Sequence, residues 1–497
     1  MKLQDRIKHV FVLMLENRSY DHILGFSLAG DLAGDEANVW NGKTLRFTPG
    51  ADFVMPRDPG HSFTDVVEQL AGPGAAYAPG RYPPITMSGF ASNFGRYEPG
   101  SVPSLFKGFT PQQLPVLDFL ARNYCVCRRW FSSMPGPTWP NRFFLHAASS
   151  GGMDEMPSRG LLTLESVVIG YRFENRTIFD RLTRAGKKWT VWEGDETPQS
   201  ILLAGMIGEN LESEFGGERL FRDYSEFAAA VKAPDFDVAY NFIEPHYGNF
   251  FGTDPRGGDS MHPVEDVRSC ELLIKQVYDS VRQSPHWDRS LLIVLFDEHG
   301  GFYDHQPPPA AAPPGDHPVN PALNQRGFDF RQLGVRVPCV IVSPWVAAST
   351  EEVVRDHTSV LSTVEEIFEL EPLTARDRWS PSLSSLFLES ARDDAPIQAP
   401  APQPAPKSPP DLIQRILDAI RGVLPGVRGG PGVPVISPLA EAFVHVAARR
   451  HLQVERMNSA AAGQIVDRVQ AIKTQGDAAR YLAMVRRRYR RHRSLTR

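Results

Sequence analysis

The run Leu291-Leu292-Ile293-Val294-Leu295-Phe296 is apolar without a break and stops at Asp297-Glu298-His299-Gly300-Gly301. A strand that is hydrophobic on both faces has to be covered on both faces, which predicts a parallel strand inside a layered α/β domain. Two adjacent carboxylates, an imidazole and two glycines make a poor structural ending for such a strand. They make a good ligand site, because in open α/β sheets ligands bind at the carboxyl ends of the strands. The first apolar run repeats the pattern: Val10-Phe11-Val12-Leu13-Met14-Leu15 leads into Glu16-Asn17-Arg18-Ser19-Tyr20-Asp21-His22. A lone acid after a strand is usually a cap or a surface ion pair. Two such strands predict a shared site, and carboxylate and amide oxygens suit a hard or borderline divalent cation.

A third segment, Met134-Pro135-Gly136-Pro137-Thr138-Trp139-Pro140-Asn141-Arg142, reads as a rigid turn opening onto a helix. Backbone N–H groups at a helix start favour an anion. A hydroxyl held there can attack phosphorus if a metal lowers its pKa. Taken alone, Thr138 reads more simply as a helix cap.

Together, Glu16-Asn17-Arg18-Ser19-Tyr20-Asp21, Pro135-Gly136-Pro137-Thr138-x-Pro140-Asn141-Arg142 and the block from Asp297 to His305 resemble the three signature blocks of the bacterial phosphoesterase family. That family contains non-haemolytic phospholipases C and related acid phosphatases and belongs to the alkaline phosphatase superfamily. Gly334-Val335-Arg336-Val337-Pro338 and Asp356-His357-Thr358-Ser359-Val360 agree, and the likeness runs from about Ile7 to about Leu388. It implies a layered α/β/α domain with a central, mostly parallel sheet, followed here by a small helical C-terminal region.

The resemblance also implies roles. Glu16 and Asn17 would sit at the metal and the bound phosphoryl group, and Asp297 and Glu298 would be paired metal ligands. Thr138 matches the nucleophile, its oxygen reaching the ion. His61, in Pro59-Gly60-His61, and His262, in Ser260-Met261-His262, match phosphoryl-binding histidines, either of which could protonate the leaving alcohol. His305 and His357 are weaker candidates that orient ligands or simply pack. Arg18 and Arg142 suit a phosphate or a structural ion pair, and Asn141 suits a role in the turn. Fewer ligands than a two-metal site leads us to expect one divalent ion, of unspecified identity.

The expected activity is that of a phospholipase C, cleaving phospholipid to diacylglycerol and a phosphorylated head group through a phospho-threonine. Thr138 is the hydroxyl more typical of that branch. An acid phosphatase acting on phosphate monoesters with the same residues is the alternative. A non-catalytic membrane-binding or effector scaffold is disfavoured, because every expected position is filled. A diesterase needs room for acyl chains, so Phe90, Phe94, Tyr97, Phe250 and Phe251 are candidate lid aromatics, and Trp139 is expected at the pocket mouth.

Three parts are expected: a catalytic domain over residues 1–390, a Pro/Gly-rich linker over 395–438 and a helical, basic tail over 439–497. The linker would contain a short amphipathic helix over 411–424. Within the first part, strands are expected over 291–296 and 337–342, helices over 264–282 and 359–370, and long lid loops over 46–97. The tail ends in Arg486-Arg487-Arg488-Tyr489-Arg490-Arg491-His492-Arg493, a potential handle for an anionic membrane surface. A net charge of −5 argues against nucleic acid as the partner of the whole molecule. Cys125 and Cys127 lack zinc-site spacing and read as reduced core thiols. With no transmembrane run and no signal-like h-region, the expected compartment is the cytoplasm by default, with export without a cleaved leader as the alternative.

Overall fold

Eight strands form one sheet in the computed structural model, which describes residues 2–158, 161–206, 220–248, 257–404, 438–455 and 459–496. In chain order they are β1 (His9–Leu15), β2 (Cys125–Cys127), β3 (Trp189–Glu193), β4 (Phe221–Asp223), β5 (Tyr240–Glu244), β6 (Ser290–Phe296), β7 (Cys339–Val342) and β8 (Ser349–Glu351). Their spatial order is β8-β2-β7-β6-β1-β5-β3-β4. From β6 to β4 all neighbours are parallel, and β8 is parallel to β2. Only β7 runs the other way, antiparallel to both β6 and β2. The apolar run that forms β7 carries no mark of direction, so this reversal is invisible in it.

Side chains alternate across a strand, and here both faces are covered. Phe11 meets Phe227 and Phe236 on one side. It aligns with Asn241 in the register, so Tyr240 and Phe242 point the opposite way, onto Phe179 and His146. The main helices are α1 (Phe63–Ala71), α2 (Thr138–Ala147), α3 (Val267–Arg282) and α4 (Thr358–Phe368), with α5 (Pro438–Val454), α6 (Ser459–Gln470) and α7 (Gln475–Thr496) at the C-terminal end. α3 buries Val267, Cys270, Ile274, Val277 and Val281 at three- and four-residue spacing. All four cysteines are buried and free.

Residues 395–404 depart from the expected linker by lying along α3. Lys275 donates to the Ala399 carbonyl at 2.6 Å and Arg282 to the carbonyls of Ala395 and Pro396 at 2.8 and 3.1 Å. A proline-rich chain is extended and leaves its carbonyls open to such donors. Residues 405–437, and with them the expected helix over 411–424, lie outside the described residues.

The C-terminal helices pack on the sheet domain. Val444, Leu452, Ile465, Val469 and Leu482 form a small core shared with Val167 and Tyr247. Part of the basic run forms ion pairs within the protein: Arg486 meets Asp195 at 2.7 Å, and the exposed Arg488 and Arg490 meet Glu455 at 2.5 Å and Glu196. Phe90 and Phe94 are not lid residues. They belong to a second core with Phe47, Val66, Leu70 and Phe302, while Tyr97 stays exposed. Phe250 and Phe251 lie outside the described residues. No helix among the described residues is long and apolar enough to cross a membrane.

One buried cation ties the sheet to the loops at its ends. Arg336, just before β7, bonds Asp21 and Asp31 at 2.7 Å and Asp304 at 3.1 Å. It thereby joins the segments that follow β1 and β6. Arg336→Met would leave Asp304 buried without a counter-charge and Asp21 with His305 alone, and should lower stability by about 3–5 kcal/mol. Urea denaturation measures this, and a loss below about 1 kcal/mol would mean that the network is dispensable.

Candidate active site

The register of β1 against β6 aligns Leu15 with Phe296, so Glu16 and Asp297 leave adjacent strands at the same point. The two chains stay paired one step further: Asp297 N–H donates to the Leu15 carbonyl at 3.1 Å and Arg18 N–H to the Glu298 carbonyl at 3.0 Å. Asn17, between them, has φ 57°, a left-handed conformation that Asn tolerates better than most residues. Its N–H donates to Asp297 Oδ1 at 3.1 Å, its amide donates to Glu298, and its Nδ2 lies 2.9 Å from His61 Nδ1. Gly300, at φ 62°, turns the chain back so closely that a Cβ there would stand 2.2 Å from the Asn17 carbonyl oxygen.

The two expected histidines come to the same place. His61 Nδ1 is 3.4 Å from Glu298 Oε1, and His262 Nε2 is 3.4 Å from Asp58 Oδ2. Burial alone would lower the pKa of His61, but Glu298 and Asp58 outweigh it and the net shift is upward. His262 is also raised: Asp58 and Glu16 overcome its burial. Backbone contacts hold both loops. Gln69 of α1 donates to the Gly60 carbonyl at 2.6 Å and accepts from His299 Nε2 at 2.8 Å. Arg18 donates to the Met261 and His262 carbonyls at 2.7 and 3.3 Å, so it is a brace for the His262 turn rather than an ion-pair partner.

Thr138 begins α2. Its first-turn N–H groups, those of Thr138 and Trp139, have no intrahelical acceptor within reach. Asn141 holds the turn: its Oδ1 accepts from Met134 N–H at 3.0 Å and its amide donates to the Gly136 and Pro137 carbonyls, each at 3.1 Å. Arg142 lies one turn after Thr138 on the same face, about 6 Å along the axis. Its guanidinium donates to Asp297 at 3.0 Å, to Glu16 at 3.2 Å and to the Tyr247 hydroxyl at 3.0 Å. Arg142 thus ties the helix that begins at Thr138 to both carboxylates. His357 steadies the same corner: its Nε2–H donates to the Asp297 carbonyl at 2.6 Å and its Nδ1 accepts from the Trp130 indole.

Trp139 is buried against Tyr171 and His445 and lines a small internal cavity with Arg142, Gln199 and Glu244. His305 sits with Asp21 at 2.8 Å, in the Arg336 network. Asp21, Asp31 and His305 do form a grouping of metal-ligating atoms among the described residues. The guanidinium of Arg336 bonds both of its carboxylates.

The oxygen donors at Glu16, Asn17, Asp297 and Glu298 are of a kind that suits a hard divalent cation. Glu16 Oε2 and Asn17 Oδ1 are buried and accept no hydrogen bond. Burial and the charge of Asp297 push the Glu16 and Glu298 carboxyls above their ordinary range, despite Arg142 and His61. Such excess buried negative charge with free oxygen lone pairs is what a cation would relieve. Four contributors were missed in the sequence. Asp58 faces both histidines, Gln199 donates to Glu16 at 2.8 Å, and Glu244 and Tyr247 complete the Arg142 cluster. Asp58, three residues before His61, is the only one that proximity to a motif could have flagged.

The protein-family model described as the phosphoesterase family matches residues 7–371. The chain is 36% identical to non-specific phospholipase C6 of Arabidopsis thaliana, over 79% of this chain and 75% of that protein. It is 34% identical to non-specific phospholipase C5 of the same plant, covering 78% and 76%. Phospholipase C B of Mycobacterium tuberculosis is 26% identical, covering 73% of each chain.

The turn that presents Thr138 is held by one side chain. Asn141→Ala should orphan the Met134 N–H, cost about 1–3 kcal/mol and speed hydrogen exchange at Met134. Unchanged exchange at that amide would show that the prolines alone hold the turn.

Proposed function

Because the chain belongs to the phosphoesterase family, we propose that it is a phospholipase C-type phosphodiesterase that cleaves phospholipid to diacylglycerol and a phosphorylated head group. The observation that carries this is the convergence of Glu16, Asn17, Asp297 and Glu298 with the Thr138 helix, through Arg142, and with His61. The choice of a diester over a monoester is supported by relatives named phospholipases C.

A divalent cation held by Glu16, Asn17, Asp297 and Glu298 would supply charge stabilisation and lower the pKa of a hydroxyl beside it. Thr138 is the nucleophile: its Oγ attacks phosphorus in line, giving a phospho-threonine that water then hydrolyses. The N–H groups of Thr138 and Trp139 face the same anion. Arg142 bonds Asp297 and Glu16 and holds both in place. His61 and His262, whose pKa values Asp58, Glu298 and Glu16 raise against their burial, balance charge on the phosphoryl oxygens. One of them gives its proton to the departing alkoxide, a step that contributes about 10²–10⁴-fold. His357 acts only through the Asp297 backbone.

Thr138→Ala should abolish turnover of p-nitrophenyl phosphorylcholine and phosphatidylcholine while leaving the melting temperature unchanged, and an active variant would remove Thr138 as nucleophile. In the wild type, both substrates should be cleaved faster than p-nitrophenyl phosphate; dominant monoester turnover would make the protein a phosphatase instead. Chelation should abolish activity and added divalent cation restore it. Asp58→Asn removes a negative charge that raises both imidazole pKa values. They should fall, the imidazolium should be lost sooner as pH rises, and the alkaline limb of the kcat/KM profile should move to lower pH. An unmoved limb would mean that neither histidine acts as the acid.

A further inference from the structure

The family match ends at residue 371, yet α5, which begins at Pro438, reaches the back of the site. Its Arg449 is buried and spends its guanidinium on backbone carbonyls: Val167 at 2.9 Å, Ile201 at 3.1 Å and Leu203 at 3.4 Å. Gly170, at φ 92°, makes room for it: a Cβ there would stand 2.9 Å from Arg449 Nη2 and 2.5 Å from the Leu202 carbonyl oxygen.

The clamped stretch, 199–203, is held at its other end by the site. The Gln199 and Ser200 N–H groups donate to the Glu244 carboxylate at 2.7 and 2.8 Å, and Gln199 Nε2 donates to Glu16 Oε1 at 2.8 Å. Two neighbours on α5 press on the same region. Phe443 packs on Tyr247, whose hydroxyl accepts from Arg142, and His445 meets the edge of Trp139, the residue after Thr138.

We propose that α5 is a working part of the active site, with Arg449 as a positioning residue that clamps residues 199–203 so that Gln199 can fix Glu16. This rests on Glu16 belonging to the catalytic centre, as argued above. Removing this buried guanidinium leaves the Val167 and Ile201 carbonyls without their donor, and the cheapest response is for that stretch to shift. Glu16 then loses the amide that sets the direction of its free oxygen. Partners that orient a ligand in this way are typically worth 10- to 100-fold in activity.

The test is a double-mutant cycle in the full-length protein. Arg449→Met keeps the length of the side chain and removes its donors, and Gln199→Ala removes the downstream contact. Each should lower kcat on p-nitrophenyl phosphorylcholine about tenfold with KM within about twofold. The double variant should be no slower than the slower single one, because both act through one contact. Hydrogen exchange across 199–203 should quicken in Arg449→Met whether or not the protein is active. Arg449→Lys, which can still reach a carbonyl, should recover part of both effects and stands in if the Met variant fails to fold. Losses that multiply, a normal kcat despite quickened exchange, or exchange left unchanged would each overturn the proposal. A wild type that cleaves no phosphodiester would sink the assigned activity instead, and the exchange experiment would still judge the clamp.

Discussion

Two carboxylates leaving adjacent parallel strands cannot be buried side by side unless a cation stands between them, and the guanidinium of Arg142 does so for Glu16 and Asp297. Much of the site follows from that contact. It fixes the rotation of α2 and hence the position of Thr138, one turn earlier. It draws in Tyr247 and, through it, Glu244 at the end of β5. One positive charge is still too little for three acids. The surplus is shared by His61 and His262 and leaves free lone pairs on Glu16 and Asn17, an arrangement poised for a metal ion and an anionic substrate together. A second buried cation, Arg336 among Asp21, Asp31 and Asp304, braces the segments that follow β1 and β6 in the same way.

Two of the eight non-glycine residues with positive φ among the described residues lie at this centre. Asn17 and Met261 both have positive φ, and each is over-determined by hydrogen bonds: Asn17 through Asp297 and Glu298, Met261 through Arg18. Strained conformations of this kind cost about 1–3 kcal/mol and persist only where the surroundings enforce them. Here the enforcement comes from the residues that define the chemistry, so the rigidity of the site and its charge pattern share one origin.

Much of this was legible in the chain because it is written locally. A strand buried on both faces has to be apolar at every position, so β1 and β6 could be read directly, as could the oxygen donors that follow them. The resemblance to a known family extended the reading to His61, His262 and Thr138. Pairing partners are not local. Nothing in residues 337–342 tells β7 to run backward, and nothing near Gln199 or Arg449 marks them as neighbours of Glu16. Aromatic residues misled for the same reason: Phe90, Phe94 and Trp139 look alike whether they face lipid or core, and all three face core. The ion pairs of Arg486 and Arg490 were equally hidden, because their partners, Asp195 and Glu196, lie about 290 residues upstream.

The tight corner at Gly300 has a use outside this molecule. With the Asn17 carbonyl where it is, even a methyl group would force the two chain segments apart and pull the acid pair away from the amide beside it. A sequence can therefore carry every other motif residue and still be unable to assemble this centre if that one position bears a side chain. Inspecting a single column would sort workable members of a large, divergent collection from those that have kept the scaffold and given up the reaction.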